Sequence, residues 1–262
     1  MPRFYIVRSA LTIAGSDSSG GAGIQADLKT FAALGVYGLS AITAITAQNS
    51  EGVRDIAPVA PELVAAQVQA VADDFAIDAT KIGMLATVSI VESVAEILAR
   101  LALKHVVLDP VLTSTSGRQL LETHGVDVLR ARLLPLVAVV TPNVAEAEVL
   151  TGLSVRSLTD MHRAAERLAE LGARAVVITG GHLDGPPIDV VWESGTLTDI
   201  PGERVASRHT HGTGCTFSAA IAARLALGDA LLPAARKAKA YVARAIARAP
   251  GLGRGRGPLG HF

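Results

Sequence analysis

The sequence predicts an α/β fold in which a mainly parallel central sheet carries helices on both faces and has a β-hairpin at its edge. Short apolar runs of strand length alternate along the chain with longer stretches whose apolar residues recur at helical spacing. The connecting loops are short, and no internal repeat or linker interrupts the alternation. Between residues 188 and 200 the period changes to two around Ser194-Gly195, which is typical of a hairpin.

Composition limits the number of domains and the kinds of partner. With 262 residues, half of them hydrophobic, the chain has enough apolar material for one large core, so we expect residues 1–262 to form a single domain. The 24 basic residues balance the 24 acidic ones, which argues against nucleic acid or an anionic membrane as partner and favours a small molecule. One cysteine excludes an intrachain disulfide and fits a reducing compartment. The first residues lack the apolar run of a signal peptide, and later apolar runs are too short to span a membrane, so we expect a cytoplasmic protein.

The strand-like runs are apolar or β-branched and end at glycine, proline or polar residues. In chain order they cover residues 10–14, 39–47, 79–82, 105–108, 137–140 and 175–179, followed by the hairpin at 188–200. A further strand is predicted at 204–207. Because ligands of such sheets bind beyond the carboxyl ends of the strands, polar residues that follow a strand are candidates for the site.

Helix boundaries are marked by residues with known preferences for helix ends. Pro61 opens one helix and Thr87 caps the next, whereas Gly35, Gly172 and Gly228 stop helices. The helical stretches cover residues 24–34, 61–74, 88–101, 127–134, 159–171, 213–227 and 233–249, with one more after Asn143.

The loop at 16–23, after the first strand, is rich in glycine and serine. Gly15 and Gly20 have the separation of a Walker A phosphate loop, but Gly21 stands where that motif needs lysine. A Gly-x-Gly-x-x-Gly dinucleotide fingerprint does not fit these glycines either. The loop is therefore either a tight structural turn or a place where the backbone approaches a flat ligand.

Residues 209–218 form a glycine turn that opens directly into a helix. The first amides of a helix lack partners and carry partial positive charge, so Gly212, Thr213 and Gly214 are candidates to hold an anion. A thiol at a helix N-terminus titrates below its usual value, so Cys215 would accept a proton from a substrate hydroxyl. The alternative is a glycine cap followed by a core helix with an inert cysteine.

Several polar residues follow predicted strands. The amide of Gln48 offers a donor and an acceptor in one plane, which suits an amino-pyrimidine edge, although a solvated loop amide also explains it. Met84 is either core filling or a wall of a ligand pocket. Asp109 is either a turn residue or part of a ligand-side loop.

Asn143 and Glu146 are three residues apart and would share one face of the next helix. Such a pair can hold a hydrated Mg²⁺ through its waters. It can equally be an N-terminal cap with an acid in the first turn, and the residues alone favour the cap.

Taken together and in order, these segments resemble the hydroxymethylpyrimidine/phosphomethylpyrimidine kinases of thiamine biosynthesis, which belong to the ribokinase-like superfamily. The resemblance spans essentially the whole chain. It is carried by residues 13–30, 46–49, 81–85, 109–111, 141–146, 180–182 and 209–215. It implies a three-layer ribokinase-like fold and the ATP- and Mg²⁺-dependent phosphorylation of 4-amino-5-hydroxymethyl-2-methylpyrimidine and of its monophosphate.

The resemblance also implies a role for each matching residue. Residues in contact with the pyrimidine are Gly15, Ala22, Gln48, Met84 and Val111. The anion hole is Gly212-Thr213-Gly214-Cys215, with cysteine where related sugar kinases have an aspartate base. Asn143, Thr179 and Gly181 fall on the nucleotide side, and Asp109 and Glu146 on the Mg²⁺ side. The sequence departs from the family pattern at two positions. Thr179 stands where many members have lysine, and Thr115 stands where some members do, so two positive charges are absent. Less positive charge near the phosphates affects the second transfer more than the first.

Three other functions are compatible with parts of the sequence. A vitamin B6 kinase shares the superfamily and a flat, hydroxymethyl-bearing substrate, but Gln48 and Met84 favour the pyrimidine. A non-catalytic pyrimidine-binding module would fit a weakly charged phosphate side. A dinucleotide oxidoreductase is disfavoured by the missing fingerprint. From the resemblance we also expect a homodimer.

Overall fold

The computed structural model describes residues 7–114 and 116–262, and within them the strands form one sheet. Its nine strands lie in the order β3-β2-β1-β4-β5-β6-β7-β8-β9. The strands are β1 Ser9–Asp17, β2 Tyr37–Asn49, β3 Gly52–Pro58, β4 Ala79–Ile82, β5 Val106–Leu108, β6 Val139–Val140, β7 Ala175–Ile178, β8 Asp189–Glu193 and β9 Thr196–Ile200. The helices are α1 Gly23–Ala33, α2 Pro61–Asp74, α3 Val88–Leu101, α4 Gly125–Val128, α5 Val144–Thr151, α6 Leu158–Glu170, α7 Thr213–Ala226 and α8 Leu231–Ala247.

The middle of the sheet is parallel and both edges are antiparallel. Strands β2, β1, β4, β5, β6 and β7 pair in parallel, whereas β3 pairs with β2, and β8 with β7 and β9, in the antiparallel sense. The hairpin turns at Ser194 and Gly195, whose φ angles are 50° and 80°, as the tight turns between twisted strands require. The predicted hairpin at the edge is therefore confirmed.

Buried apolar residues form a separate cluster on each face of the sheet. One cluster includes Val64 of α2, Ile90 of α3 and Met161 of α6. The other includes Phe31 of α1 and Phe217 of α7, with residues of α8 packed beside them. Helices thus cover both faces, and the predicted three-layer fold is confirmed.

Most helix ends coincide with the predicted signals. Pro61 occupies the first turn of α2, and the Thr87 hydroxyl accepts the Ile90 amide at 3.3 Å at the start of α3. After α4, residues 129–136 continue as short π and 3₁₀ turns rather than as a regular helix. None of the helices in the described ranges has the length and apolarity needed to cross a bilayer.

Two strand predictions differ from the structure. Strand β3 was not predicted, because Gly52–Pro58 is a half-exposed edge strand that contains charged residues and ends at proline. The strand predicted at 204–207 is wrong. There the Arg204 guanidinium donates to the carbonyls of Gly181 at 3.0 Å and Leu183 at 2.6 Å. The segment is therefore held by hydrogen bonds of the Arg204 side chain rather than by backbone pairing with a neighbouring strand.

The glycine-rich segment at 251–258 packs back onto the start of the chain. The amide of Gly255 donates to the Ser50 hydroxyl at 3.2 Å, beyond the end of β2. The carbonyl of Gly257 accepts the amide of His211 at 3.1 Å, and His211 forms an isolated bridge with Pro258. The segment therefore supports the turn that precedes α7.

Candidate active site

An open cleft of about 1670 Å³ runs along the carboxyl ends of the parallel strands. Its walls are the segments that follow these strands, together with the start of α7. Every site residue predicted from the sequence lines this one cleft. They are Gly15, Ala22, Gln48, Met84, Asp109, Val111, Asn143, Glu146, Thr179, Gly181, Gly212, Thr213, Gly214 and Cys215. The fold thus brings together residues from both ends of the chain.

The glycine-rich loop after β1 winds around the carboxylate of Asp17, which is almost completely buried. This carboxylate accepts the amides of Ser19 at 2.8 Å, Gly21 at 3.1 Å and Ala22 at 2.8 Å. Burial alone would raise the pKa of Asp17, but the hydrogen bonds from His211 and Ser19 outweigh it and lower the pKa. The loop is therefore a tight turn around an ionised side chain, and its residues Ala22 and Gly23 also line the cleft.

A second contact of Asp17 links the two ends of the chain. Nε2 of His211 lies 2.8 Å from Asp17 Oδ2 and 3.1 Å from the side-chain nitrogen of Gln48. Sequence reasoning selected Gln48 but missed Asp17 and His211 as separate site residues. Both stand in segments that carried the resemblance, and a histidine next to a glycine turn was the available signal.

The turn before α7 depends on a left-handed glycine. Gly212 has a φ of 81°, and a Cβ there would overlap the carbonyl of Gly21 in the opposite loop. The amide of Thr213 is already used, because it donates to the Thr210 carbonyl at 3.3 Å. Among the described residues, the amides of Gly214 and Cys215 have no hydrogen-bond partner, so these two are open to an anion.

The expected low pKa of Cys215 is wrong. Burial raises the pKa of the thiol to about 12, and the carboxylates of Asp109 and Asp27 add to that effect, while Lys81 opposes it. The partial charge of one helix end is smaller than the cost of burying a thiolate beside two carboxylates. Cys215 is therefore a neutral thiol at neutral pH.

A buried cluster of charges lies close to Cys215. The ammonium of Lys81 is fully buried, 3.0 Å from Asp27 Oδ2 and 3.8 Å from Asp109 Oδ2. Thr12 donates to Asp27 at 2.6 Å and Ser218 to Asp109 at 3.0 Å. Burial would lower the pKa of Lys81, but the two carboxylates more than offset it and the pKa is raised, so this side chain is a permanent cation. The sequence signal for this residue is a lysine inside the short apolar run of β4.

Asp109 and Glu146 form a pair of buried acids. Burial and the charge of Asp109 raise the pKa of Glu146 to about 8 despite hydrogen bonds from Asn143. The pKa of Asp109 is also raised, chiefly by burial. Two buried acids with raised pKa values fit a divalent cation, because its charge would favour both carboxylates.

The N-terminal cap predicted at Asn143 is confirmed. Its side chain accepts the Glu146 amide at 3.0 Å, and the Glu146 carboxylate accepts the Asn143 amide at 2.9 Å, which is a complete capping box. No group of three metal-binding side chains is present in the described ranges. A Mg²⁺ ion here would therefore be held by Asp109, Glu146, water and phosphate oxygens, as Mg²⁺ commonly is.

Thr179 and Gly181 follow β7 on the same wall of the cleft. The amide of Thr179 donates to the Pro142 carbonyl at 3.0 Å, which places it beside Asn143. Thr115 lies outside the described residues. Basic side chains nevertheless line the cleft, so it is not poor in positive charge. They are Arg204, Arg208, Arg236, Lys239, Arg244 and Arg256.

Comparisons with known proteins agree with this geometry. The family model described as phosphomethylpyrimidine kinase matches residues 17–260. The hydroxymethylpyrimidine/phosphomethylpyrimidine kinase of Rhizobium meliloti (strain 1021) is 51% identical over 257 residues, which cover 97% of this chain and 96% of that protein.

Two solved structures of pyridoxal kinases have similar folds. The ADP complex of the Bacillus subtilis enzyme has a TM-score of 0.90 at 40% identity and covers 97% of both chains. The Staphylococcus aureus enzyme in complex with AMP-PCP and pyridoxal has a TM-score of 0.90 at 36% identity, covering 98% of this chain and 94% of that one. These matches and the match of the family model confirm the resemblance read from the sequence, and the chain belongs to the phosphomethylpyrimidine kinase family.

Proposed function

We propose that this protein transfers the γ-phosphoryl group of ATP to 4-amino-5-hydroxymethyl-2-methylpyrimidine and then to the resulting monophosphate, as a step of thiamine diphosphate biosynthesis. The observation that carries the proposal is one cleft that joins a planar amide, Gln48, to the open amides of Gly214 and Cys215. The names of the relatives support the substrate, and the nucleotide complexes of the related kinases support ATP as the donor.

On the substrate side, the ring would lie against Gly15, Ala22, Met84 and Val111, with Gln48 at its polar edge. This arrangement would hold the hydroxymethyl oxygen near Cys215, in line with the phosphoryl group. Most of the rate gain in phosphoryl transfer comes from such alignment and from charge stabilisation. The open amides of Gly214 and Cys215 would stabilise the charge on the transferring group.

On the phosphate side, Asp109 and Glu146 would hold Mg²⁺, and Asn143, Thr179 and Gly181 would contact the nucleotide. When bound, Mg²⁺ neutralises charge on the phosphate oxygens. Neutralising Asp109 also removes one cause of the high pKa of Cys215, while Lys81 continues to favour the thiolate. Cys215 would then accept the proton of the hydroxyl group late in the transfer, when the new P–O bond forms.

Product analysis tests the proposal. The purified protein is incubated with the pyrimidine alcohol and Mg-ATP, and the mono- and diphosphates are separated over time. We expect the monophosphate first and the diphosphate second. Monophosphate alone would restrict the function to the first transfer, and turnover of pyridoxal without turnover of the pyrimidine would show a vitamin B6 kinase instead. Normal pyrimidine binding without any phosphoryl transfer would show a binding module.

The resemblance further supports a cytoplasmic homodimer of the 27.0 kDa chain. Light scattering coupled to gel filtration measures the mass directly. A mass equal to that of one chain across the working concentration range would exclude the dimer.

A further inference from the structure

The contacts of His211 determine which of its ring nitrogens carries the proton. Asp17 is ionised, because its pKa is lowered, and it accepts hydrogen bonds only. Its Oδ2 lies 2.8 Å from Nε2 of His211, so Nε2 must be the protonated nitrogen. A protonated ring nitrogen has no lone pair left and cannot accept another hydrogen bond.

That protonation state also determines the orientation of the Gln48 amide. The polar atom of Gln48 next to His211 lies 3.1 Å from Nε2, and a nitrogen there would set two donors against each other. The oxygen of the amide must therefore face His211. The amide nitrogen then faces Thr46 Oγ1 at 3.2 Å, where it finds an acceptor, because that hydroxyl donates its own proton to the Ser16 carbonyl at 2.9 Å.

With this orientation, two of the four hydrogen-bonding positions of Gln48 are used within the protein. The Nε2 proton of His211, which Asp17 accepts at 2.8 Å, is shared with the amide oxygen in a three-centre hydrogen bond, and Thr46 accepts one N–H. One lone pair and one N–H, both in the plane of the amide, remain for the cleft. This pair complements an amino group next to an unprotonated ring nitrogen, which is the polar edge of a 4-aminopyrimidine.

We propose that His211 is a specificity-determining positioning residue which, held by Asp17, fixes the Gln48 amide so that it recognises an amino group beside a ring nitrogen. Without the proton on Nε2 of His211, only Thr46 would favour this orientation of the Gln48 amide, and the opposite orientation does not match the pyrimidine edge. The inference rests on the proposed function, since it assigns the selectivity of the same cleft.

The structure holds the imidazole of His211 in place from several sides. Its backbone amide donates to the Gly257 carbonyl at 3.1 Å, and only 8% of the residue is exposed. Gly21 lies against the ring so closely that a Cβ there would overlap it. These contacts leave the imidazole little room to turn away from Asp17 and Gln48.

A double-mutant cycle tests the proposal through kcat and KM for the pyrimidine alcohol. The variants are His211→Phe, which keeps an aromatic ring and removes the donor, Gln48→Ala and the combination of both. We expect His211→Phe to raise KM roughly tenfold with a smaller change in kcat, since one well-placed hydrogen bond contributes about 1–1.5 kcal/mol. In the Gln48→Ala background the same change should have almost no further effect, because His211 acts through Gln48.

Two further variants separate specificity from folding. His211→Gln restores an N–H donor at a similar reach and should recover part of the lost affinity. His124→Phe is the control, because His124 is exposed and does not line the cleft, so we expect wild-type KM. The KM for ATP should stay unchanged in all variants that fold.

Full additivity of His211→Phe and Gln48→Ala would overturn the proposal, as would an equal loss of kcat for the pyrimidine and for pyridoxal. If His211→Phe does not fold, His211→Gln and its combination with Gln48→Ala supply the same cycle. Failure of the proposed function is distinguishable, because the wild-type protein would then not phosphorylate the pyrimidine at all.

Discussion

The pKa of a buried carboxyl group is lowered on the substrate side of the cleft and raised on the phosphate side. On the substrate side, the carboxylate of Asp17 is surrounded by donors and its pKa is lowered. On the phosphate side, burial raises the pKa values of Asp109 and Glu146, and the charge of Asp109 adds to the raised pKa of Glu146. The carboxylate of the substrate half therefore has its hydrogen bonds satisfied by the protein alone. The phosphate half has unbalanced negative charge, and we expect it to reach its working state only with a cation and nucleotide.

The largest predicted effect is that of replacing Cys215, which should reduce phosphoryl transfer and leave pyrimidine binding nearly unchanged. Cys215→Ala removes the proposed proton acceptor and leaves the substrate side unchanged. We expect kcat to fall by roughly 10²- to 10⁴-fold, with the dissociation constant of the pyrimidine changed by less than about threefold. Steady-state kinetics and calorimetric binding measure the two quantities. An equally large loss of binding would place Cys215 among the residues that bind the ring.

Replacing Lys81 tests how much its positive charge stabilises the buried carboxylates of Asp27 and Asp109. Lys81→Met leaves Asp27 and Asp109 buried without their counter-ion, so we expect the free energy of unfolding to fall by about 3–5 kcal/mol. Urea denaturation measures the loss. Adding Asp27→Leu to Lys81→Met removes the pair as a whole and should recover most of the stability. A double variant that is stable and fully active would show that Lys81 has no part in the reaction.

The pH dependence of stability reports on Glu146. Its pKa is about 8 in the folded protein, against 4.5 as the ordinary value, so the folded state binds the proton more tightly. The free energy of unfolding should therefore decrease as the pH rises from 4.5 towards 8, by up to about 1.4 kcal/mol per pH unit.

Denaturation at several pH values, with and without added Mg²⁺, measures this slope. Glu146→Gln removes the titrating group and should flatten the slope, and added Mg²⁺ should flatten it in the wild-type protein. A wild-type slope that matches the variant without Mg²⁺ would contradict the raised pKa.

The smallest predicted effect compares two helix N-caps, of which Asn143 lines the cleft and Thr87 does not. Asn143→Ala and Thr87→Ala each remove a helix N-cap, and each should lower the free energy of unfolding by about 1 kcal/mol. Asn143 lines the cleft and Thr87 does not, so only Asn143→Ala should raise the KM for ATP. Equal KM values for both variants would remove Asn143 from the nucleotide side.

Much of the fold was predictable because its signals are local. Apolar runs, Pro61, Thr87 and the Ser194-Gly195 turn each determine their own element, and the parallel sheet follows from their alternation. The edge strand β3 was missed because a half-exposed strand has no apolar pattern of its own. The strand predicted at 204–207 failed because Arg204 forms contacts that no local pattern encodes.

The residues of the site could be predicted from the sequence, whereas most contacts between them could not. Residues that follow strands were recognised, and all of them line the cleft. The contacts Asp17 to His211 and Lys81 to Asp27 join positions far apart in sequence, so spacing gives no sign of them. The pKa of Cys215 was predicted in the wrong direction because the helix end is visible in the sequence and the neighbouring carboxylates are not.

The packing of residues 251–258 onto His211 has a consequence for biosynthesis. A ribosome releases the chain from its N-terminal end, and domains generally begin to fold while synthesis continues. All the described strands and helices precede Gly257 in the chain, but the His211 turn gains the support of the Gly257 carbonyl only when that residue has left the exit tunnel. The sheet can therefore assemble on the nascent chain before the turn at His211 has this support.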